Sequence, residues 1–318
     1  MNNWKRVSVF IFLFYFITNF IVYRGWATEN THFTFIPNQL DKSFIETAIT
    51  TAKTSIFVEA YLLSDKSIIY DLIKAHRKSV RVQVVLDFSN AYSKNSNEYA
   101  YQEFLKNGIS VRKVFLSPNI DHIKWIDIDH GSEIISGSMN YRKGSFYNHD
   151  GSLLIYHDPK VSQWVEQHVG FRAKQQGEFS VGGMVTPMLY KKELIISILQ
   201  SHSLFVHMNI MTDRSVVNAI IKARKNKIKI NVELDASTPF DRMENYYAIS
   251  QFKKYGIPLQ TYHTTPTGYE LHEKIFIING KTVFIGSSNA TSSGFYWNDE
   301  LDWKITSLKL AQEIERYN

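Results

Sequence analysis

The sequence predicts an α/β fold made of two homologous halves, each a layered α-β-α unit. A long internal repeat, strand–helix alternation within each copy, and a length suited to two ordinary domains support this reading. Ser55-Ile56-Phe57-Val58 matches Ser203-Leu204-Phe205-Val206, and Leu63-Ser64-Asp65-Lys66-Ser67 matches Met211-Thr212-Asp213-Arg214-Ser215. Leu72-Ile73-Lys74-Ala75 matches Ile220-Ile221-Lys222-Ala223, and Val82–Asp87 matches Ile230–Asp235. All these pairs lie 148 positions apart, as do Phe104…Gly108-Ile109 and Phe252…Gly256-Ile257. A repeat of this length is a domain rather than a solenoid unit. The expected domains are residues 28–175 and 176–318, joined through the polar, Gly-rich stretch Gly170–Pro187.

The N-terminus stands apart from the repeat. Lys5-Arg6 precede an uncharged apolar run from Val7 to Tyr23, and Arg24 follows it. The run is longer than a usual signal-peptide core and shorter than a span of about 20 residues. Gly25-Trp26-Ala27 supplies small residues where cleavage after Ala27 would need them. Residues 1–27 are therefore expected to be a signal peptide or a retained membrane anchor. The protein would then be exported: secreted, periplasmic or tethered.

Each half then reads alike. An apolar strand (Ile56–Leu63; Leu204–Met211) ends at Ser/Thr-Asp, a helix start signal. The helix that follows (Lys66–Lys78; Arg214–Asn226) places Ile68, Ile69, Leu72, Ile73 and Val216, Val217, Ile220, Ile221 on one face. Next comes a β-branched strand ending at Asp87 or Asp235, then a helix (Glu98–Asn107; Asn245–Tyr255) closed by Gly108 or Gly256. Another strand, the motif strand, a turn at His130-Gly131 or Asn279-Gly280 and a final strand complete the unit.

Composition removes several function classes. There is no cysteine, so disulfide scaffolds, thiol nucleophiles and thiolate metal sites are excluded. The net charge of +6 favours an anionic partner without choosing between nucleic acid and acidic membrane.

The motif is written twice. His122-Ile123-Lys124 leads through Asp129 to Gly137-Ser138-Met139-Asn140, and His272-Glu273-Lys274 leads through Asn279 to Gly286-Ser287-Ser288-Asn289. On an extended segment a His and a Lys two apart share a face. Breaking a phosphodiester without a metal needs a nucleophile, a proton donor and cations around the phosphoryl oxygens. Two imidazoles can divide the first two tasks, and two lysines can supply the cations. Asn140 and Asn289 can donate amide hydrogen bonds to the same oxygens, with Ser138 and Ser287 beside them. Each imidazole needs a partner that fixes its tautomer, usually a carboxylate. Asp150 and Glu300, at the ends of the matched triplets Asn148-His149-Asp150 and Asn298-Asp299-Glu300, are the candidates. Glu59 and His207, at equivalent strand positions, are further residues that can approach the site. His130 and His149 flank the first motif and invite a metal reading with Asp127 and Asp129, but no matching set recurs in the second half. No cofactor or metal is expected. Tyr141, Phe146, Tyr147, Phe295, Tyr296 and Trp297 are read either as an apolar rim or as ordinary packing.

These residues resemble the phospholipase D superfamily, whose signature is His-x-Lys-x4-Asp followed by Gly-Ser-x-Asn. The resemblance covers both halves. It implies a pseudo-two-fold arrangement with one active site shared at the interface, a phosphohistidine intermediate and no metal requirement. His122, Lys124, Asn140, His272, Lys274 and Asn289 would line the site, with His122 as nucleophile and His272 as general acid. Two departures stand out: Asn279 replaces the second aspartate, and the first motif has one extra residue before Gly137. In the family that aspartate is structural, which gives Asp129 a supporting role. The expected activity is a monomeric phospholipase D that releases phosphatidic acid and headgroup at a membrane surface. A nuclease acting on DNA or RNA is the alternative, followed by a cardiolipin-synthase-like transferase or a degenerate binding protein.

Overall fold

The computed structural model describes residues 32–148, 150–169, 180–263 and 269–317. The expected leader at 1–27, His149 and residues 170–179 of the expected linker lie outside them. Among the described residues no helix is long and apolar enough to cross a membrane.

The first half runs β1 (His32–Pro37), α1 (Asn38–Thr51), β2 (Ser55–Ala60), α2 (Lys66–Arg77), β3 (Arg81–Asp87), α3 (Ala91–Lys106), β4 (Ser110–Val114), β5 (Lys124–Ile128), β6 (Glu133–Gly137), β7 (Gly151–Tyr156) and α4 (Pro159–Gln167). The second runs β8 (Ser180–Val181), β9 (Met184–Val185), α5 (Pro187–Leu199), β10 (Ser203–Met208), α6 (Arg214–Lys225), β11 (Lys229–Asp235), α7 (Pro239–Glu244), α8 (Tyr246–Lys254), β12 (Leu259–Tyr262), β13 (Lys274–Ile278), β14 (Thr282–Gly286), α9 (Ser292–Tyr296), β15 (Asp302–Thr306) and α10 (Leu308–Tyr317).

Two sheets result, ordered β1-β7-β6-β5-β2-β3-β4 and β12-β11-β10-β13-β14-β15-β9-β8. Their shared inner order gives the repeat its structural form. Strands β2, β3 and β4 are parallel, as are β10, β11 and β12. The motif strands β5 and β13 run antiparallel to β2 and β10. Each motif strand therefore begins at the edge where the parallel strands end, the usual edge for ligands in such sheets. His122 and His272 stand at that edge, just before β5 and β13.

Strand alternation sorts the core into three parts. Ile126 and Ile128 face α1–α3 in one cluster, whereas Phe276 and Ile278 face α5, α6 and α8 in another. Ile123, Trp125, Ile275, Ile277 and Trp303 join a third cluster between the sheets, where α4 and α10 contribute Val161, Val165, Leu310 and Ile314. The Trp303 indole N–H crosses this seam to the Ser136 hydroxyl at 3.3 Å. Away from the motif edge the seam is lined mainly by apolar side chains.

Several elements are longer than periodicity predicts, or absent from it. Helix α3 starts at Ala91 rather than Glu98, because Asn90 and Ser93 form a capping box over a polar first stretch. In the second half, Thr238 and Asp241 form the same box, with Pro239 opening α7. Helices α1, α4, α5 and α10 fall outside the repeat pattern used to predict the fold. Pro187 begins α5 rather than closing a linker, and β8 and β9 add a short hairpin to the second sheet.

Candidate active site

Both lysines are buried, Lys124 at 1% exposure and Lys274 at 0%. Each ammonium donates to the carbonyl of its own histidine, Lys124 Nζ to His122 O and Lys274 Nζ to His272 O, both at 2.5 Å. The side chains thus fold back onto the start of the motif strand. Burial lowers Lys124 to about 7, although Glu300 and Asp150 favour its charge. Burial lowers Lys274 to about 8 against the same two carboxylates. Each lysine is felt from both halves.

The carboxylate partners are exchanged between the halves. His122 Nδ1 meets Glu300 of the second half at 3.0 Å, and His272 Nδ1 meets Asp150 of the first half at 3.2 Å. Ser287 donates to Glu300 at 2.5 Å, and Ser138 donates to Asp150 at 2.6 Å. The Gly-Ser motif thus holds the carboxylate, and the carboxylate holds the histidine of the other half. Backbone bonds reinforce the exchange: His122 N donates to Asp299 O at 2.8 Å, and Asp299 N donates to Ile120 O at 2.9 Å. Gly286 is required by close approach, since a Cβ there would lie 2.6 Å from the Leu301 carbonyl oxygen.

The two imidazoles differ electrically. Burial pushes His122 well below the usual histidine range, and Lys124, Lys274 and His272 push the same way. Burial and Lys274 also lower His272, but Asp150 opposes them by charge and hydrogen bond. Burial raises Asp150, yet His272, Lys274 and Ser138 outweigh it and hold the carboxyl low. Burial raises Glu300 to about 7 despite Lys124, Ser287 and Asn298.

The remaining sequence candidates divide. Asn140 is buried and Asn289 half-buried. Asn289 accepts from Ile210 N at 3.2 Å, whereas Asn140 Oδ1 has no hydrogen-bond partner among the described residues. Asp129 serves the fold: it accepts from the backbone N–H groups of Lys53, Thr54 and Ser55 and from the Thr54 hydroxyl. Asn279 does the same with its amide oxygen, accepting from His202 N at 2.6 Å and Ser203 N at 3.1 Å. Both occupy left-handed backbone, φ 51° and 55°, which Asp and Asn tolerate well. The extra residue of the first motif sits in this turn: 129–132 join β5 to β6, whereas 279–281 join β13 to β14. The Gly-Ser-x-Asn segments are undisturbed.

Asp127 caps Gly131 N at 2.7 Å and His130 faces Glu166 at 4.0 Å, so these flanking residues diverge. Of the aromatic set, Tyr141 and Phe295 are buried, while Tyr147 and Trp297 are exposed. His207 is clamped by Glu273 at 3.1 Å and Glu233 at 3.2 Å. Three features escaped sequence reasoning. Tyr61 packs edge-on against His122 at 5.1 Å, and Lys124 Nζ lies 5.3 Å from the same ring. Glu59, Asp121 and Asp299 bring one carboxyl oxygen each within 4.8 Å of one another, a spacing that could hold a cation. The exchange of carboxylates was also hidden, because a repeat shows equivalence and not contact.

The chain resembles known proteins in sequence and in fold. The chain is 33% identical over 129 residues to a phospholipase D of Rickettsia conorii, covering 41% of this chain and 58% of that one. It is 26% identical over 172 residues to a phospholipase D of Rickettsia prowazekii, covering 49% and 82%. The fold matches that of phosphatidylserine synthase from Haemophilus influenzae Rd KW20 with a TM-score of 0.74 at 13% identity, over 90% of this chain and 85% of that one. The family described as cardiolipin synthase, PLD-like domain, matches each half separately, over residues 45–170 and 194–317. With a match in each half, the chain belongs to this family and, through it, to the phospholipase D superfamily of phosphodiester-processing enzymes.

Proposed function

We propose that this protein is a phospholipase D that hydrolyses phospholipids to phosphatidic acid and free headgroup through a phosphohistidine. The carboxylate exchange is the observation that carries the mechanism. A carboxylate on Nδ1 fixes each tautomer and leaves the other ring nitrogen for substrate. His122, held neutral, attacks phosphorus with its lone pair. As the P–N bond forms, the P–O bond to the headgroup breaks. His272, whose charged form Asp150 supports, gives its proton to the departing alkoxide. The same residue then takes a proton from water, which attacks phosphorus and releases His122. Lys124, Lys274, Asn140 and Asn289 balance the phosphoryl oxygens, so the cationic field comes from the protein itself.

The lipid substrate is supported by the similarity to rickettsial phospholipases D and by the exposed Tyr147 and Trp297 beside the motif segments. The test offers the purified chain phosphatidyl lipids and single-stranded DNA in parallel, both in excess chelator. Phosphatidic acid release with intact DNA is expected. DNA cleavage without lipid turnover would replace this reading with a nuclease. Activity that vanished in chelator and returned with a divalent ion would give the Glu59–Asp121–Asp299 cluster a role in chemistry and overturn the assignment above.

A further inference from the structure

The repeat supplies an internal control for one surface. Helices α3 and α7 start at equivalent positions, 148 apart, and are built on the same scaffold. Asn90–Ser93 and Thr238–Asp241 cap them identically. Asn97 and Asn245, both fully buried, make matching bonds: each accepts from Leu63 N or Met211 N and donates to the carbonyl of Asp87 or Asp235. The scaffold therefore dictates nothing about the exposed positions between. At the matched positions the first half carries exposed Tyr92 and Asn95 and half-buried Glu98, and the second carries exposed Phe240, Met243 and Tyr246. The second set is 60%, 65% and 72% exposed. Phe240 and Met243 on α7, with Tyr246 at the start of α8, form a patch rather than scattered apolar residues.

The patch adjoins the site. Leu234, Met208 and Lys274 lie side by side across β11, β10 and β13, and α7 follows β11 after three residues. Asn209 ties the two together: it donates to Asp235 at 3.2 Å, before α7, and to the carbonyl of Leu271, before His272. Trp297, 59% exposed, precedes Asn298, which bonds Glu300.

We infer that α7 and the start of α8 form the membrane-contacting element: Phe240, Met243 and Tyr246 enter the interfacial layer of an anionic bilayer and seat the catalytic edge on it. The inference rests on the phospholipid reading proposed above and adds where the bilayer lies. Phe and Met supply apolar area, the Tyr hydroxyl suits the wet boundary, and exposed Arg242 between them complements anionic headgroups.

Because the chain has no cysteine, single sites can be labelled. Full-length Met243→Cys and Asn95→Cys, each carrying an environment-sensitive fluorophore, are mixed with phosphatidylglycerol–phosphatidylcholine vesicles. A blue shift at 243 and none at 95 is expected. No shift at 243, equal shifts at both sites, or a shift at 243 with single-stranded DNA in place of vesicles would overturn the inference. So would a blue, concentration-dependent emission without vesicles, which would mean a second copy covers the patch. In parallel, the triple variant Phe240→Ser, Met243→Ser, Tyr246→Ser should lose at least about tenfold in turnover of vesicle lipid. Turnover of a monomeric short-chain phospholipid should stay within about twofold, and an equal loss on both substrates would count against the inference. If no lipid is cleaved but position 243 still shifts, docking stands and the hydrolytic reading fails.

Discussion

In the first half the motif histidine faces a carboxyl that burial raises to about 7; in the second it faces one held low by its surroundings. The backbone frames match, so side chains must make the difference. Behind Glu300 stands a second buried carboxyl, Asp302, which burial and Glu300 raise to about 8. Paired with Gly286 in β14, Asp302 occupies the place that Ser152 takes beside Gly137 in β6. Burial raises the Glu300 carboxyl, whereas at Asp150 the same burial is outweighed by His272, Lys274 and Ser138. His122 consequently receives the weaker support for a positive charge, and His272 the stronger. On the proposed mechanism this divides one duplicated motif into a base-like and an acid-like member, as nucleophilic attack followed by proton donation requires.

The hardest test of this division is removal of each histidine. His122→Ala and His272→Ala should each lower turnover of natural lipid by about a thousandfold or more. With a nitrophenyl leaving group, which needs no acid, His272→Ala should still accumulate phosphoenzyme on His122, detected by acid-labile phosphate and peptide mapping. Label on His272 instead would reverse the roles.

A subtler break exchanges the carboxylates for amides. Glu300→Gln and Asp150→Asn should each cost about 10–100-fold, as for other residues that orient a functional imidazole. Only the Asp150→Asn loss should be relieved by the good leaving group, because Asp150 serves the acid. Equal relief in both variants would show that the halves are functionally alike.

The lysines set the alkaline side of the profile. A lysine lowered to about 7 or 8 is charged only below that pH, so kcat/KM for an anionic diester should fall as pH rises through 7–8. A flat profile to pH 9 would mean that neither lysine titrates where its burial places it.

The smallest effect is expected at the turn. Asn279→Asp should change turnover only a few-fold, since its side chain holds His202 and Ser203 rather than the site. Asp129→Ala, which removes the acceptor for three backbone N–H groups, should cost about 1–2 kcal/mol of stability in a urea titration with little loss of kcat. A hundredfold gain from Asn279→Asp would mark the second motif as crippled.

The two-half α/β fold is legible in the residues alone, because a repeat of strands, helices and caps at constant spacing constrains every copy alike. The residues also single out the candidate site: His122, Lys124, His272 and Lys274 recur with matched Gly-Ser-x-Asn segments, and Asp150 and Glu300 with matched Asn neighbours. Helix starts at Ala91 and Pro239 were less legible, since capping boxes over polar stretches leave no apolar period to read. Three-dimensional packing was needed to pair Glu300 with His122 and Asp150 with His272, to raise one carboxyl by burial while the other is held low, and to bring Glu59, Asp121 and Asp299 together. The physical reason is that periodicity reports which face a residue occupies within its own element. Partners across a seam, and the burial that shifts their protons, depend on how two complete halves pack.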